Sequence, residues 1–304
     1  MALGTNHVTT TTAATFIPEI WSDEIIAAYK KSLVAANVFK KMSFKGKKGD
    51  TVHIPSPTRG DASLKSASTQ VTLIAATETE VVVNIDKHYE YSRLIEDIAE
   101  VQALSSLRRF YTEDAGYALA KQVDTSLIQL GRGFNGGSGT AAYTGAYIGS
   151  DGTTLYTSGT PNAAALTDAA IRRTIQRLDD NDVPMEGRFF IIPPSARNTL
   201  MGLARYTEQA FVGETGGGNT IRNGEIGNLY GIPVFVSSNA DTATGAARIA
   251  LMGHRDAAVL VEQVGVRSQT QYKQEYLGTL YTADTLYGVK ELRDNSCFAL
   301  AVPA

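Results

Sequence analysis

The sequence predicts an α+β fold, and three observations support that class. Apolar residues recur at helical spacing over 94–130 and 166–180, which predicts two long helices. Other parts of the chain have runs rich in valine, isoleucine and threonine, which are typical of strands. The chain also contains 28 glycines and is rich in threonine, serine and alanine, a composition that favours strands, turns and extended loops over a helix bundle.

Composition limits the class of protein. A length of 304 residues is enough for one large core or two smaller ones, and a hydrophobic content of 43% is ordinary for a soluble protein. A formal net charge of −3, without a strongly basic patch, argues against a nucleic-acid reader on charge grounds. The single cysteine, Cys297, excludes an intrachain disulfide and is expected to be a buried structural thiol. No apolar stretch could span a membrane and residues 1–6 lack a signal-peptide pattern, so we expect assembly in a reducing cytoplasm.

The first ninety residues predict an arm, a helix and a projecting hairpin. Residues 1–17 are small and threonine-rich, and they either stay disordered or become ordered against a neighbouring subunit. A helix is predicted over 18–39, with Pro18 near its start. Strands at 51–54 and 80–85, separated by a polar stretch, predict a long hairpin. An isolated hairpin is only marginally stable, so it needs a surface that its own chain need not supply.

The middle of the chain predicts a long helix followed by an irregular region. The helix spans 94–130 and carries one apolar stripe, and Gly131 is a suitable residue to end it. Residues 131–161 are rich in glycine, serine, threonine and tyrosine and have no apolar period. We therefore expect this region to be a surface insertion or a contact region rather than core.

The clearest helix is predicted over 166–180. Thr167 is a good N-cap, and Asp168 places negative charge at the helix N-terminus. We expect a core-facing stripe and an outward-facing set of arginines; the stripe is Ile171, Ile175 and Leu178, and the arginines are Arg172, Arg173 and Arg177. A buried strand at 189–192, a helix beginning at Pro193 and a glycine-rich loop over 212–224 follow. The remaining predicted strands cover 233–237, 248–252, 257–262, 269–290 and 296–302.

No motif for bond chemistry is found in the sequence. The four histidines, His7, His53, His88 and His254, do not have metal-ligand spacing. The glycine-rich segments match neither a phosphate-binding loop, nor a dinucleotide fingerprint, nor a nucleophile elbow. The sequence therefore predicts a protein that is not an enzyme and that has no catalytic, cofactor-binding or metal-binding residues.

The candidate functional residues are charged groups at the two ends of the hairpin. Lys40, Lys41, Lys45, Lys47 and Lys48 form a basic cluster near its base. This cluster is either a solvated hinge or a contact with an acidic patch on a neighbouring subunit. Arg59 and Asp61 flank Gly60 near the tip, where a turn is the expected structure. We take Lys45, Lys47, Lys48, Arg59 and Asp61 as candidate intersubunit contacts.

Three segments, in their order and spacing, resemble the major capsid proteins of tailed bacteriophages. They are GRFFIIPP at 187–194, GNLYGIPV at 227–234 and YGVK at 287–290. The resemblance covers nearly the whole chain and implies the Hong Kong 97-like capsid fold. It implies an N-terminal arm and helix over 1–43 and an extended β-hairpin loop over 44–88. A peripheral domain with a spine helix and a Gly/Ser/Thr-rich insertion would cover 89–164, an axial domain 165–265, and return strands completing the peripheral domain 266–304.

This resemblance implies a major capsid protein that assembles through hexamers and pentamers into an icosahedral shell around double-stranded DNA. The implied partners are other copies of the chain, a separate scaffolding protein, a portal and a decoration protein, with no sequence-specific DNA binding and no membrane. A cellular nanocompartment shell of the same fold is an alternative, which co-purifying cargo enzyme in place of DNA would reveal. A soluble oligomeric enzyme is a third hypothesis, and it predicts small oligomers in place of shells.

Overall fold

The computed structural model describes residues 33–57, 60–71, 73, 78–97, 106–203 and 227–304. Helices and sheets are both present, as the predicted α+β class requires. The helices are α1 (Ala35–Val38), α2 (Ser106–Gln129), α3 (Asp168–Asp180) and α4 (Pro194–Met201). The strands are β1 (Lys40–Ser43), β2 (Thr51–Pro57), β3 (Glu78–Asn84), β4 (Lys87–Glu96), β5 (Tyr147–Ile148), β6 (Arg188–Ile192), β7 (Asn228–Leu229), β8 (Ile232–Val236), β9 (Arg248–His254), β10 (Ala258–Lys273), β11 (Gly278–Glu291) and β12 (Cys297–Val302).

The predicted hairpin is confirmed. Strands β2 and β3 pair antiparallel from Thr51 opposite Asn84 to Pro57 opposite Glu78. The base of the hairpin joins a buried cluster, in which Val83 and Ile85 pack with Val259 of β10. The predicted arm over 1–17, most of the predicted helix over 18–39 and the glycine-rich loop over 212–224 lie outside the described residues.

A four-stranded sheet has the strand order β1-β10-β11-β4. Helix α2 covers one face of it, where Ala115 and Leu119 pack on Ala283 and on partly buried tyrosines of β4 and β11. The predicted helix over 94–130 is wrong at its start, because residues 94–96 belong to β4. Residues of β4 pair with β11 along all ten positions. This tertiary pairing outweighs the helical spacing of the local sequence.

A six-stranded sheet has the order β5-β12-β9-β6-β8-β7 and supplies the largest core. Alternate residues of its strands enter two clusters on opposite faces. On one face Phe190 and Ile192 pack with α3 and α4. On the other face Phe189 and Ile191 pack with Leu127 at the end of α2. Helix α2 therefore contributes to the cores of both sheets.

The axial domain was expected to end at residue 265, but the two large sheets do not divide at that position. Strand β12 was expected to complete the sheet of the peripheral domain, but it pairs with β9 and β5 in the six-stranded sheet. All six of its residues are buried, so this strand requires cover on both faces and a neighbour on each edge. In turn, residues 258–265 belong to β10 and hence to the four-stranded sheet.

The expectation that 131–161 lies outside the core is wrong. Phe134, Tyr143 and Tyr156 are buried in the cluster that also holds the end of α2. Arg132 donates two hydrogen bonds to Asp241, at 2.7 and 3.1 Å, and the Tyr143 hydroxyl donates to the same carboxylate at 2.7 Å. Burial raises the pKa of Tyr143 far above its usual value. Irregular turns place these aromatic residues, so no apolar period exists for a sequence pattern to detect.

Helix α3 begins as predicted. The Thr167 hydroxyl accepts the Ala170 N–H at 3.3 Å and donates to the Ser150 carbonyl at 2.6 Å. Ile171 and Leu178 are fully buried, whereas Ile175 is only partly buried. Arg172 and Arg173 are exposed as expected, but Arg177 is not. Its guanidinium lies 3.5 Å from the centroid of the Tyr147 ring, a cation–π contact that fixes the strand β5 region on the helix.

Replacing the helix cap gives a first prediction. We expect Thr167→Ala to lower the free energy of unfolding by about 1 kcal/mol, because it leaves the Ala170 N–H and the Ser150 carbonyl without this partner. Thr167→Ser keeps the hydroxyl and should differ little from the parent chain. Urea unfolding of the three proteins measures this difference, and equal stability of the alanine and serine variants would contradict the capping role.

Candidate intersubunit surfaces

The base of the hairpin is fastened to β10 by side chains. The Lys45 ammonium lies 3.3 Å from a carboxylate oxygen of Glu262. The Gln263 amide donates to the carbonyls of Lys47 and Gly49, both at 3.0 Å. This amide therefore holds the turn that leads into β2. These contacts attach the hairpin base to β10.

The predicted basic residues at this base have different surroundings. Lys45 already has an acidic partner in its own chain. The Lys47 ammonium lies 5.4 Å from the centroid of the Phe44 ring, and Lys48 is exposed. At the other end Asp61 is exposed in the loop of the hairpin, while Arg59 lies outside the described residues. Lys47 and Lys48 thus differ from Lys45, which is paired with an acidic residue of its own chain.

The loop that joins β2 to β3 exposes large apolar side chains. We define the hairpin loop as residues 60–73. Leu64 is 98% exposed and Leu73 is 91% exposed, and Val71 is also exposed. Single exposed apolar residues are common on protein surfaces, but nearly complete exposure of two leucines on one projection is not. These side chains have no cover within the described part of their own chain.

The hairpin also has a groove of about 450 Å³ along its strands. Two prolines and two glutamates line it together with one threonine: Pro55, Pro57, Glu78, Glu80 and Thr79. The Nδ1 atom of His53 lies 3.0 Å from a carboxylate oxygen of Glu80.

A second projection is formed by the four-stranded sheet. We define the ribbon as residues 90–96 and 266–284, where β10 extends past its pairing with β1. Side chains of β10 are exposed from Val266 to Tyr272. The exposed large apolar residues of the ribbon are Leu94, Val266, Tyr272, Tyr276 and Leu277. Most of the large apolar side chains exposed in the described residues therefore lie on either the hairpin loop or the ribbon.

A polar cluster links β10, β11 and β4 at the point where the ribbon begins. Arg267 on β10 donates two hydrogen bonds to Asp284 on β11, at 2.7 and 2.8 Å, and the His88 ring of β4 lies 3.1 Å from the same carboxylate. The Arg267 guanidinium holds the pKa of Asp284 below its usual value. Because the Asp284 carboxylate contacts side chains of both neighbouring strands, it helps to fix the register between them.

This cluster gives a prediction on pH. The pKa of Asp284 is lower in the folded chain than in the unfolded one, so ionised Asp284 stabilises the fold above the unfolded pKa of about 4. The stabilisation is lost as the pH falls through the folded value. We expect Asp284→Asn to lower the melting temperature modestly at pH 7 and to match the parent chain at acidic pH. Asp61→Asn, in the hairpin loop, is the matched control; a pH-independent effect of Asp284→Asn would contradict the ion pair.

The described histidines and the cysteine lie in separate places in the fold. No group of three or more His, Cys, Asp or Glu side chains among them could bind a metal ion. His254, the third described histidine, contacts the Glu186 carbonyl at 2.8 Å. Cys297 is fully buried, and burial raises the pKa of its thiol far above the usual range. None of the helices in the described ranges combines the length and apolar character that a membrane crossing requires.

Sequence reasoning selected charged residues and missed the apolar ones. Leu64 and Leu73 were treated as part of a polar stretch, although isolated leucines among serines, threonines and a lysine are a signal that could have found them. The Arg267–Asp284 pair was not predicted either, because the register that places these residues side by side depends on two irregularities in the pairing of β10 with β11.

Comparison with known proteins identifies the fold. The sequence profile of the phage capsid protein family matches residues 89–293. Among solved structures, a chain from Mycobacterium phage Che8 has 24% sequence identity, with 94% of this chain and 97% of that chain covered and a TM-score of 0.74. The capsid of cyanophage P-SCSP1u has 20% identity, with 99% and 96% covered and a TM-score of 0.77.

The agreement extends to more distant structures. The capsid of Ralstonia phage GP4 has 16% identity, with 94% and 95% covered and a TM-score of 0.65. No match was found among curated protein sequences. The fold is therefore shared along nearly the full length of phage capsid chains, while the sequences have diverged widely.

Proposed function

This chain belongs to the phage capsid protein family, and on that premise we propose that its copies assemble through hexamers and pentamers into an icosahedral shell that encloses double-stranded DNA. The chain is a structural protein of the virion capsid and not an enzyme. We place its assembly in the cytoplasm of the host. The observation that best supports the proposal is the pair of projections whose apolar side chains have no cover within the described chain.

The two projections are suited to meet between copies. The hairpin loop of one copy would lie on the ribbon of the next, so that Leu64 and Leu73 leave water together with apolar side chains such as Val266 and Leu277. The surfaces on the two partners differ, so the contact is heterologous. Heterologous contacts generate rings when the rotation between copies closes, which is the arrangement that hexamers and pentamers need.

Apolar burial contributes more to this contact than the charged residues. Full burial of a leucine is worth about 1.5–3 kcal/mol, before the cost of ordering the loop is subtracted. An exposed ion pair is worth about 0–1 kcal/mol. We therefore propose that Leu64 and Leu73 provide most of the affinity between copies. The charged candidates would set the register between copies; they are Lys45, Lys47 and Lys48 at the hairpin base and Arg59 and Asp61 near its tip.

The overall charge agrees with a container for DNA. The formal net charge is −3, so the chain has no net electrostatic attraction for the phosphate backbone of DNA. A shell wall without net attraction for phosphate would let DNA enter and leave without binding tightly to the protein. We propose that the enclosed DNA is held without sequence-specific contacts.

The domain division proposed for this shell follows the sheets. Arm and helix would occupy 1–43 and the extended loop 44–88. The six-stranded sheet with α3 and α4 would form the axial domain, and the four-stranded sheet with α2 the peripheral domain. We also propose a separate scaffolding protein, a portal and a decoration protein as partners.

Assembly can be tested on the full chain expressed alone and with a candidate scaffolding protein from the same genome. We expect sedimentation and electron microscopy to show rings or closed shells in at least one of the two preparations. Shells from infected cells should protect double-stranded DNA from nuclease. Monomers or small oligomers in both preparations, at low and at high salt, would contradict the proposed function, and shells filled with a cargo enzyme would contradict the assignment to a genome.

A further inference from the structure

Each of the two projections has an edge strand whose backbone groups have a defined direction. In an antiparallel pair, residues that point their N–H and C=O groups to the partner strand alternate with residues that point them away. The Asp97 N–H donates to the Leu277 carbonyl at 2.9 Å, in register with the pairing of β4 and β11. The odd-numbered residues of β4 therefore bond to β11. The even-numbered residues, from His88 to Glu96, point their backbone groups away from it.

The outer edge of β4 is long and regular. This strand pairs with β11 over ten positions without a register shift, and it is the last strand of its sheet among the described residues. The opposite edge of the ribbon is less regular, because the pairing of β10 with β11 shifts twice between Glu262 and Arg267. Irregularities and prolines are two of the features that keep sheet edges from pairing with other chains. Strand β4 has neither, so its edge is open to another strand.

The hairpin shows the same asymmetry between its two edges. The Ile85 N–H donates to the Asp50 carbonyl at 2.8 Å, so the odd-numbered residues of β3 bond to β2 and the even-numbered ones point outward. On β2 the odd-numbered residues point outward, and two of them are Pro55 and Pro57. A proline has no N–H to donate, so the outer edge of β2 cannot form a regular ladder. Strand β3 has no proline and keeps all of its outward N–H groups.

We propose that β3 of one copy adds to the outer edge of β4 of a neighbouring copy, so that one continuous sheet runs across the contact. This inference rests on the proposed shell and specifies how the hairpin is held on the ribbon. The free part of β3 is 78–82, because Val83 is buried and the Asn84 carbonyl lies against Gly288 of its own chain. In strand addition of this kind the main-chain hydrogen bonds provide the affinity.

Charge and symmetry favour β4 as the partner of β3. Strand β3 carries carboxylates at Glu78 and Glu80 and has no cation, so two β3 strands paired with each other would bring like charges together. Strand β4 carries the cations Lys87 and Arg93 beside its own acidic residues. Pairing of β4 with a second β4 would be isologous and would close a dimer. The contact of β3 with β4 is heterologous, so it can continue around a ring.

Hydrogen exchange of the full chain, before and after assembly, tests this pairing. In unassembled subunits the outward amides of Glu80, Glu90 and Ser92 should exchange fast. The inward amides of Tyr91 and Arg93 should already exchange slowly. Assembly should slow the outward amides by at least about tenfold and leave the inward ones nearly unchanged. Protection gained at every second residue is specific to strand pairing, because a contact on the face of the sheet does not follow this alternation.

Proline substitutions on the two edges of the ribbon provide a matched pair. Ser92→Pro removes one outward N–H of β4, a change that an edge strand tolerates, so the subunit should stay folded and its shells should dissociate at lower denaturant concentration. Thr270 lies opposite Tyr281, whose backbone bonds to β4, so the Thr270 N–H points outward on the other edge. Thr270→Pro should therefore assemble as the parent chain does. Ser92→Ala keeps the N–H, so its shells should be more stable than those of Ser92→Pro.

Every outcome bears on the pairing. Shells in which β4 gains no alternate protection, or equal shell stability in Ser92→Pro and Thr270→Pro, would overturn the pairing and leave the proposed function intact. Protection gained on β4 but not on β3 would show another partner, such as a second β4, and would overturn β3 as the occupant. If Ser92→Pro does not fold, Glu80→Pro is compared with Glu80→Ala in the same way. If the parent chain forms no shells, the pairing and the proposed function are both contradicted.

Discussion

Removing residues 58–69 should leave a folded subunit that no longer forms stable shells. The deletion removes Leu64 and draws Leu73 back towards the strands, while the paired ends of β2 and β3, Pro57 and Glu78, remain joined by eight residues. None of the described residues of the deleted segment, 60–69, belongs to a buried cluster. Circular dichroism and the melting temperature of the subunit should therefore stay near the parent values, and assembly should fail.

A second variant keeps the loop length and removes only its apolar groups. Leu64→Ser combined with Leu73→Ser should weaken shells in the same direction, since each leucine loses about 1.5–3 kcal/mol of burial in every contact. Ser63→Ala, beside Leu64, is the matched control and should assemble normally. Heat-stable shells from the deletion would show that the hairpin only decorates the surface. Loss of subunit folding would instead place the loop inside its own core.

Ile171→Asp should unfold the subunit. Ile171 is fully buried on α3, in the cluster formed with β6, β9 and β12. A carboxylate at this position has no partner and loses its hydration, a change that costs more than about 4 kcal/mol, a large part of the stability of a typical domain. Thermal unfolding and solubility of the expressed variant measure this effect.

Two neighbouring positions on α3 provide the comparison. Ile175 is only partly buried, so Ile175→Asp should destabilise the subunit less than Ile171→Asp does. Gln176 is exposed, and Gln176→Asp should have a small effect. Equal stability of all three variants would show that α3 does not pack on the six-stranded sheet as described.

The parts of the fold that sequence predicted are those whose local pattern agrees with their packing. Helix α3 has a cap and an apolar stripe on one side, and β6 is a short apolar run buried on both faces. The strands of the hairpin were also found, because β-branched residues are concentrated there. In these elements, propensity, spacing and burial all point to the same structure.

Sequence reasoning failed where distant contacts decide the structure. Residues 94–96 form a strand because β11 lies beside them, and Tyr143 is buried because Asp241, far along the chain, accepts its hydroxyl. The place of β12 in the six-stranded sheet depends on β9 and β5 in the same way. The spacing of residues within a short stretch of sequence carries no information about such distant contacts.

For the candidate intersubunit residues, too, the sequence identified local features and missed those that depend on distant contacts. Clustering of lysines along the sequence identified the hairpin base, but it did not show that Glu262 already neutralises part of the charge of Lys45. The exposure of Leu64 and Leu73 becomes visible only when the surroundings of each residue are known. Both residues depart from the usual place of their type, because they are apolar groups in water.

Cryo-electron microscopy of assembled particles tests the central claim most directly. We expect closed icosahedral shells built from hexamers and pentamers, in which the hairpin loop of each copy lies on the ribbon of the adjacent copy and covers Leu64 and Leu73. A reconstruction with the hairpin folded against its own subunit, with both leucines still exposed to solvent, or the absence of closed shells in every preparation, would contradict the account.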